Sequence, residues 1–490
     1  DTALPDGSAA AAYLEEPTRP LPGSDATTTQ RLAALRTAAN ARAATALESG
    51  HQRGDRVFEL TLPTGFGKTY TGLRAALQVA DKRESRVIYA LPYTSIIDQV
   101  DANIRDIFDV VPTDPAYTKH HHLADTRSTL DSSTIDKPSS GRETLHAEAW
   151  RSQLVLTTFT QLFESVAGPG NVQSTKLPAL QDSVIIVDEP QALPHEWWEL
   201  LGRLTEYLTT EYDATILFMT ATQPRVLESL PSAPTPQSLV DLHGECAAVI
   251  ANEPRVTFEL HDSLIAHLDE RDAPPLSLTD AAAELEPELV GARNTLTVVN
   301  TVSSAVTMTE ALSEVDRLHL GSELLPYLQA PGTESPSAED YLAHLAEEQS
   351  DPEGVILTLT TRLRPADRRL LLDAVSRVLD PDTTTPFDDV PTMTVSTQLI
   401  EAGVDVSFDR LYRDFAPLPS LVQAAGRCNR EFGDPPAPVT VWRLDRPEDD
   451  DYVPRRLLYG DDSLVRPTQR ALSPLRTGQA ETHLSGGRGT

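Results

Sequence analysis

Residues equipped for phosphate chemistry stand in two places in the sequence. The first is Pro63-Thr64-Gly65-Phe66-Gly67-Lys68-Thr69, and the second is Asp188-Glu189. Glycines at 65 and 67 let backbone N–H groups turn inward onto phosphate oxygens, at the positive end of a following helix. Lys68 is then placed to reach the β- and γ-phosphates of a nucleotide, and the Thr69 hydroxyl to ligate Mg²⁺. A carboxylate such as Asp188 at a strand end holds Mg²⁺ in phosphate-loop NTPases, and a neighbouring Glu189 can orient and deprotonate an attacking water. The strict pattern G-x-x-x-x-G-K-[ST] asks for glycine at position 62, where this chain has Leu62.

The elements that must carry these groups are legible around them. Val57, Phe58 and Leu60 predict a short buried strand before the loop, and the stretch 71–80 predicts a helix after it. Four apolar residues, Val184 to Val187, predict the central strand that ends at Asp188. Residues 28–48 have helical spacing behind a Thr cap, and Gln30 at that helix start is a candidate for adenine recognition. Residues 86–100, 152–166 and 215–224 each predict a buried strand followed by a turn or helix start. The run His120-His121-His122 reads as loop, because three adjacent histidines do not readily converge on one metal.

Together PTGFGKT, YALPYTSIIDQ, TTFTQLFES, DEPQALP and TATQP resemble the motifs of superfamily 2 helicases. More narrowly, TSIIDQ, TTFTQLFES and QALP resemble the helicase part of the CRISPR-associated helicase-nuclease of type I interference systems. A second set follows. Residues 392–408, with Ser396, Thr397, Gln398, Glu401, Gly403 and Asp405, resemble motif V, and residues 421–430 resemble motif VI, Q-x-x-G-R-x-x-R. A helix through the latter would set Gln423, Arg427 and Arg430 along one side.

The resemblance implies an α/β fold of two tandem RecA-like domains, each a mainly parallel sheet with helices on both faces, binding ATP and Mg²⁺ in a cleft between them. Expected boundaries are a linker or poorly ordered lead-in at 1–27, a first domain at 28–227, a connector at 228–292, a second domain at 293–445, and an accessory region or tail at 446–490. It implies catalytic roles for Lys68, Asp188, Glu189, Gln423, Arg427 and Arg430, with Gly403 and Asp405 also at the nucleotide. Thr94, Thr157, Thr158, Thr220, Thr222, Arg362 and Thr397 are the candidate nucleic-acid contacts, and Arg364, Arg368 and Arg369 would extend an arginine-lined channel. The implied partners are single-stranded DNA and a surveillance complex carrying a guide RNA. His261-Asp262 stands in the connector without the further ligands an HD nuclease needs, so that nuclease is expected on a domain or subunit elsewhere. A restriction-type translocase and a recruitment module with a weak ATPase are the alternatives.

Composition bounds the setting. A formal charge of −32, with only Lys68, Lys82, Lys119, Lys137 and Lys176 as lysines, fits either a halophilic cytoplasm in which salt screens self-repulsion or an acidic protein that does not touch nucleic acid, and composition leaves the choice to the motifs. Cys246 and Cys428 cannot build a disulfide framework, and no apolar run approaches the ~20 residues of a membrane span.

Overall fold

The computed structural model describes residues 27–63, 65–92, 94–108, 110, 114–121, 149–168, 174–221, 234–240, 254–270, 272–289, 294–312, 317–330, 336–349, 352–380, 382–388, 390–401, 406–430, 435–447 and 465–477. The chain divides into two compact units, with the division between positions 249 and 250.

The first unit opens with a 26-residue helix, α1 (Thr28–Arg53), started by a capping box between Thr27 and Gln30 and stopped at Gly54 with φ 98°. Then come β1 (Val57–Thr61), α2 (Lys68–Lys82), β2 (Val87–Leu91), α3 (Thr94–Phe108) and β3 (Tyr117–His120). The unit continues with β4 (Leu154–Thr158), α4 (Phe159–Ala167), α5 (Leu177–Leu180), β5 (Val184–Asp188), α6 (Trp198–Glu211), β6 (Thr215–Thr220) and β7 (Gln237–Ser238). All seven strands are parallel, in the order β3-β4-β2-β5-β6-β1-β7.

Every residue of β2, β4, β5 and β6 is buried, as expected where helices cover both faces of a parallel sheet. One face packs Ile88, Val155, Ile185 and Phe218 against α4 and α6. On the other, α2 lies so close to β6 that a Cβ on Gly72 would stand 1.9 Å from the Met219 sulfur. Buried Arg74 of α2 donates to Asn40 of α1, tying the two helices together. His120 closes a strand rather than lying in a loop, because Tyr117–His120 pairs with β4 and supplies the sheet edge.

The second unit repeats the plan. It runs β8 (Val256–Leu260), α7 (Asp262–Asp269), α8 (Leu278–Leu285), β9 (Thr295–Val298), α9 (Val302–Leu312), β10 (Leu318–His319), α10 (Leu324–Gln329) and α11 (Ala338–Glu348). It ends with β11 (Val355–Leu359), α12 (Pro365–Leu379), β12 (Thr392–Ser396), β13 (Arg410–Asp414), α13 (Leu418–Ala425), β14 (Ala437–Trp442) and α14 (Arg466–Leu472). The strands are again all parallel, ordered β10-β11-β12-β9-β13-β14-β8.

Alternation along the strands assigns side chains to the two faces. Leu357, Leu359 and Leu411 meet α11 and α12, while Ile356 and Tyr412 meet α8 and α9. The segment 256–260 is the edge strand of this sheet and alternates half-buried with exposed residues. Residues 465–472 pack Val465 and Leu472 onto Leu264, Phe415 and Leu421.

Candidate nucleotide site

Strand order brings the two chemical clusters of the first unit together. β1 and β5 flank β6, so the loop after β1 and the acidic pair after β5 both emerge beside the end of β6. Backbone bonds fix each to it. The Leu62 N–H donates to the Thr220 carbonyl at 3.2 Å, and the Glu189 N–H to the Met219 carbonyl at 2.8 Å.

Leu62 is 1 % exposed, which explains the departure from the strict loop pattern: the position serves the core. The loop turns tightly, with the Phe66 N–H on the Pro63 carbonyl at 3.1 Å and the Phe66 ring buried as its anchor. Gly65 and Gly67 have φ 88° and 72°, in the left-handed region where glycine is at ease. Gly67 caps α2 without any side-chain cap, so the first amides of the helix are left for a ligand.

Lys68, the first residue of α2, turns its ammonium onto both carboxylates. Its Nζ lies 2.9 Å from Asp188 Oδ1 and is hydrogen-bonded to Glu189. Burial opposes the charge on Lys68, yet the two carboxylates outweigh it and raise the lysine pKa. Asp188 Oδ2 accepts from the Tyr89 hydroxyl at 2.9 Å, and Thr69 also hydrogen-bonds that hydroxyl. Burial first, then the Asp188 charge, keep the phenol protonated. The two expected Mg²⁺ ligands, Thr69 and Asp188, therefore converge on one atom. Asp188 Oδ1 is buried and receives no aligned hydrogen bond, only the lysine's charge. A hydroxyl and a hard, under-donated carboxylate oxygen fit a magnesium ion.

Glu189 has φ 54°, an uncommon value for a non-glycine residue, and is held there by its bond to β6. Gln191 adds a link absent from the sequence expectations: its Nε2 donates to Glu189, while its Oε1 accepts from Thr220 at 3.2 Å. Gln191 lies in QALP, which marked the chain by resemblance; its contact could not be read without the strand order. Tyr89 was also missed, although a hydroxyl in an otherwise aliphatic strand was its signal.

The remaining candidates divide. Gln30 is exposed and its Oε1 accepts from the Thr27 N–H in the capping box, a local structural task. Thr157 is 0 % exposed and donates to the His120 carbonyl at 2.8 Å, so its hydroxyl faces the sheet rather than a phosphate. The Thr158 hydroxyl caps α4 through the Gln161 N–H. Thr397 is buried at the end of β12, its N–H on the Leu359 carbonyl. Arg362 and Arg369 are exposed, whereas Arg364 is paired with Asp367 at 2.6 Å. Thr64, Thr222, Gly403 and Asp405, and the side chain of Thr94, lie outside the described residues.

The arginine pair of the second unit requires a correction. Gln423 is on α13, but the helix ends at Ala425, so Arg427 and Arg430 do not extend its side. The chain leaves the helix because Cys428 bridges to Phe408 and Asn429 takes φ 46°. Arg427 is buried, and its Nε and Nη2 donate to the carbonyls of Ile400 and Glu401 at 2.9 and 2.7 Å. Arg430 is half-buried, with its N–H on Ser407 Oγ at 3.1 Å. His261 caps α7 and lies 3.0 Å from Glu284, and among the described residues no cluster of three or more metal-ligating side chains occurs.

Two parallel α/β units, the first with a phosphate loop and acidic pair, make up a tandem RecA-like fold. Comparison with known proteins narrows this. Residues 336–432 match the family "CRISPR-associated nuclease/helicase Cas3, C-terminal", and residues 28–225 match "Type III restriction enzyme, res subunit". The CRISPR-associated nuclease/helicase Cas3 of Haloferax volcanii is 37 % identical over 447 residues, covering 80 % of this chain and 46 % of that protein. The crystal structure of T. fusca Cas3 aligns with a TM-score of 0.59 at 17 % identity, over 99 % of this chain and 53 % of that one. Its AMPPNP-bound form gives 0.58 at 18 % identity, over 93 % and 52 %. The chain carries a Cas3-like helicase region, and it spans about half the length of the Cas3 relatives it matches. The haloarchaeal relative agrees with the acidic, lysine-poor composition. No helix among the described residues is long and apolar enough to cross a membrane.

Proposed function

We propose that this chain is an ATP-hydrolysing motor that translocates on single-stranded DNA and unwinds target DNA in CRISPR interference. The observation that carries the reading is the convergence of Lys68, Asp188 and Glu189 beside a loop with two left-handed glycines. In this account the loop amides receive the nucleotide phosphates, and Lys68 exchanges its carboxylates for phosphate oxygens. Magnesium, held by Thr69 and Asp188, would supply charge neutralisation on the phosphates. Released from the lysine, Glu189 orients and deprotonates the attacking water, with Gln191 fixing its carboxylate. Stabilisation of charge on the transferred phosphoryl group falls to Arg430; such arginines contribute ~10³–10⁵ in rate in other phosphate-loop enzymes.

The chain's likeness to Cas3 supports the pathway, with a guide-RNA surveillance complex as recruiting partner and cleavage assigned to an HD nuclease domain or subunit elsewhere. A Glu189→Gln variant tests the chemistry. It should bind a fluorescent ATP analogue with Mg²⁺ as the parent does, yet hydrolyse ATP at least ~100-fold more slowly. Hydrolysis by that variant at the parental rate would overturn the assignment.

A further inference from the structure

Outside every motif singled out above, the second unit buries an arginine completely. Arg413, at the end of β13, is 0 % exposed. Its Nε and Nη2 engage Glu401 Oε1 at 3.0 and 2.8 Å, and its Nη1 donates to Asn300 Oδ1 and the Asp414 carbonyl, both at 2.8 Å. Asn300 in turn donates to Asp414 Oδ2 at 2.6 Å and to the Phe415 carbonyl at 3.1 Å. The ends of β9 and β13 and the 3₁₀ turn Gln398–Glu401 are thereby joined through one guanidinium.

Glu401 is the hinge of this arrangement. Its side chain is held by Arg413, and its backbone carbonyl, with that of Ile400, holds the guanidinium of Arg427. Beyond Arg427 the chain is pinned twice more: Asn429 Nδ2 donates to the Arg255 carbonyl at 2.9 Å, and the Arg430 N–H to Ser407 Oγ. A desolvated ion pair adds little net stability, since an apolar pair of similar volume often does as well or better. What the planar, five-donor guanidinium adds is direction: it gathers Glu401, Asn300 and the carbonyls of Asp414 and Val298, and so fixes the turn that ends at Glu401.

We propose that Arg413 is a positioning residue for ATP hydrolysis. It sets the Gln398–Glu401 turn so that the two carbonyls clasp Arg427, and the clasp aims Arg430. The proposal rests on the motor reading above, in which Arg430 acts on the phosphoryl group.

The test compares ATP hydrolysis and melting temperature, in molar KCl with single-stranded DNA, for the full chain and four variants. These are Arg413→Lys, Arg413→Met with Glu401→Leu, Arg430→Ala, and the triple combination. The double substitution removes both partners of the ion pair together; Arg427 and Asp414 stay buried, so the melting temperature reports whether the unit tolerates the change. It should keep the ATP KM within about threefold while kcat falls at least about tenfold. Adding Arg430→Ala to it should cost less than about threefold more, although Arg430→Ala alone costs about a hundredfold or more. Arg413→Lys, which keeps the charge but not the fork, should melt near the parent and still lose kcat. A merely structural role gives losses that multiply in full with Arg430→Ala. That result, or kcat within about threefold of parent in Arg413→Lys and in the double variant, overturns the proposal. Lys68→Ala separates the two readings: hydrolysis that survives it refutes the motor, independently of Arg413.

Discussion

Lys68→Met should destabilise the nucleotide-free protein as well as disable it. The substitution keeps the length of the side chain but removes the ammonium that stands between Asp188, at 2.9 Å, and Glu189. All three side chains are at most 16 % exposed, so the loss leaves two carboxylates facing each other with little water. Breaking a buried pair by removing one partner costs ~3–5 kcal/mol when burial is complete. Here some solvent remains and one carboxylate can take up a proton, which brings the figure to about 2–3 kcal/mol. For a unit of this size that is a fall of roughly 5–10 °C in melting temperature. Scanning calorimetry in molar KCl would measure it, because salt screens buried charges poorly. Millimolar Mg²⁺ should then raise the melting temperature of the variant more than that of the parent, since the ion replaces the missing positive charge. A variant that melts within a degree of the parent, or gains nothing from Mg²⁺, would refute the view of this cluster as one electrostatic unit.

Two further outcomes follow from the first unit. Gln191→Leu removes the donor to Glu189 and the acceptor from Thr220, so kcat for ATP hydrolysis should fall by roughly 10–100-fold with KM little changed; steady-state kinetics at parental KM and kcat would contradict the bridging role. His51 lies against Thr215 Oγ1 at 2.9 Å and against Arg83, and burial followed by the charges of Arg83 and Arg56 lowers its pKa to about 4. His120 is lowered to about 4 by burial and then by Lys176 and His121. Both folded values lie below the unfolded ~6.5, so the native state binds fewer protons between them. Their contribution is therefore complete above about pH 6.5 and lost as pH falls toward about 4. The melting temperature should drop across that window, and His51→Gln should flatten the drop; an unchanged slope would contradict it.

The candidate nucleotide site was legible because its signals are local. Glycines 65 and 67, Lys68-Thr69 and an acidic pair closing an apolar run each announce themselves within a few residues, and the structure adds only their convergence. The contacts of Tyr89 with Asp188 and of Gln191 with Thr220 were not legible, since they are set by the order β2-β5-β6-β1, which adjacent sequence does not encode. Arg427 shows a subtler failure. Its spacing from Gln423 satisfies a helix, but the bridge between Phe408 and Cys428 ends the helix first and turns the guanidinium onto two carbonyls. The segment 256–260, set within the expected connector, is an edge strand whose partner 437–442 is nearly two hundred residues away, and only tertiary structure could join them. Arg413 carried no pattern at all; a lone arginine after Leu411 and Tyr412 reveals its burial only when the sheet is assembled.

A motor of this kind couples nucleotide chemistry at Lys68 to nucleic acid. The measurement that tests it most directly is the ATP hydrolysis rate in molar KCl, with and without single-stranded DNA, for the parent and Lys68→Ala. DNA should stimulate hydrolysis strongly, and Lys68→Ala should abolish it in both conditions. Hydrolysis indifferent to DNA, or surviving the loss of Lys68, would contradict it.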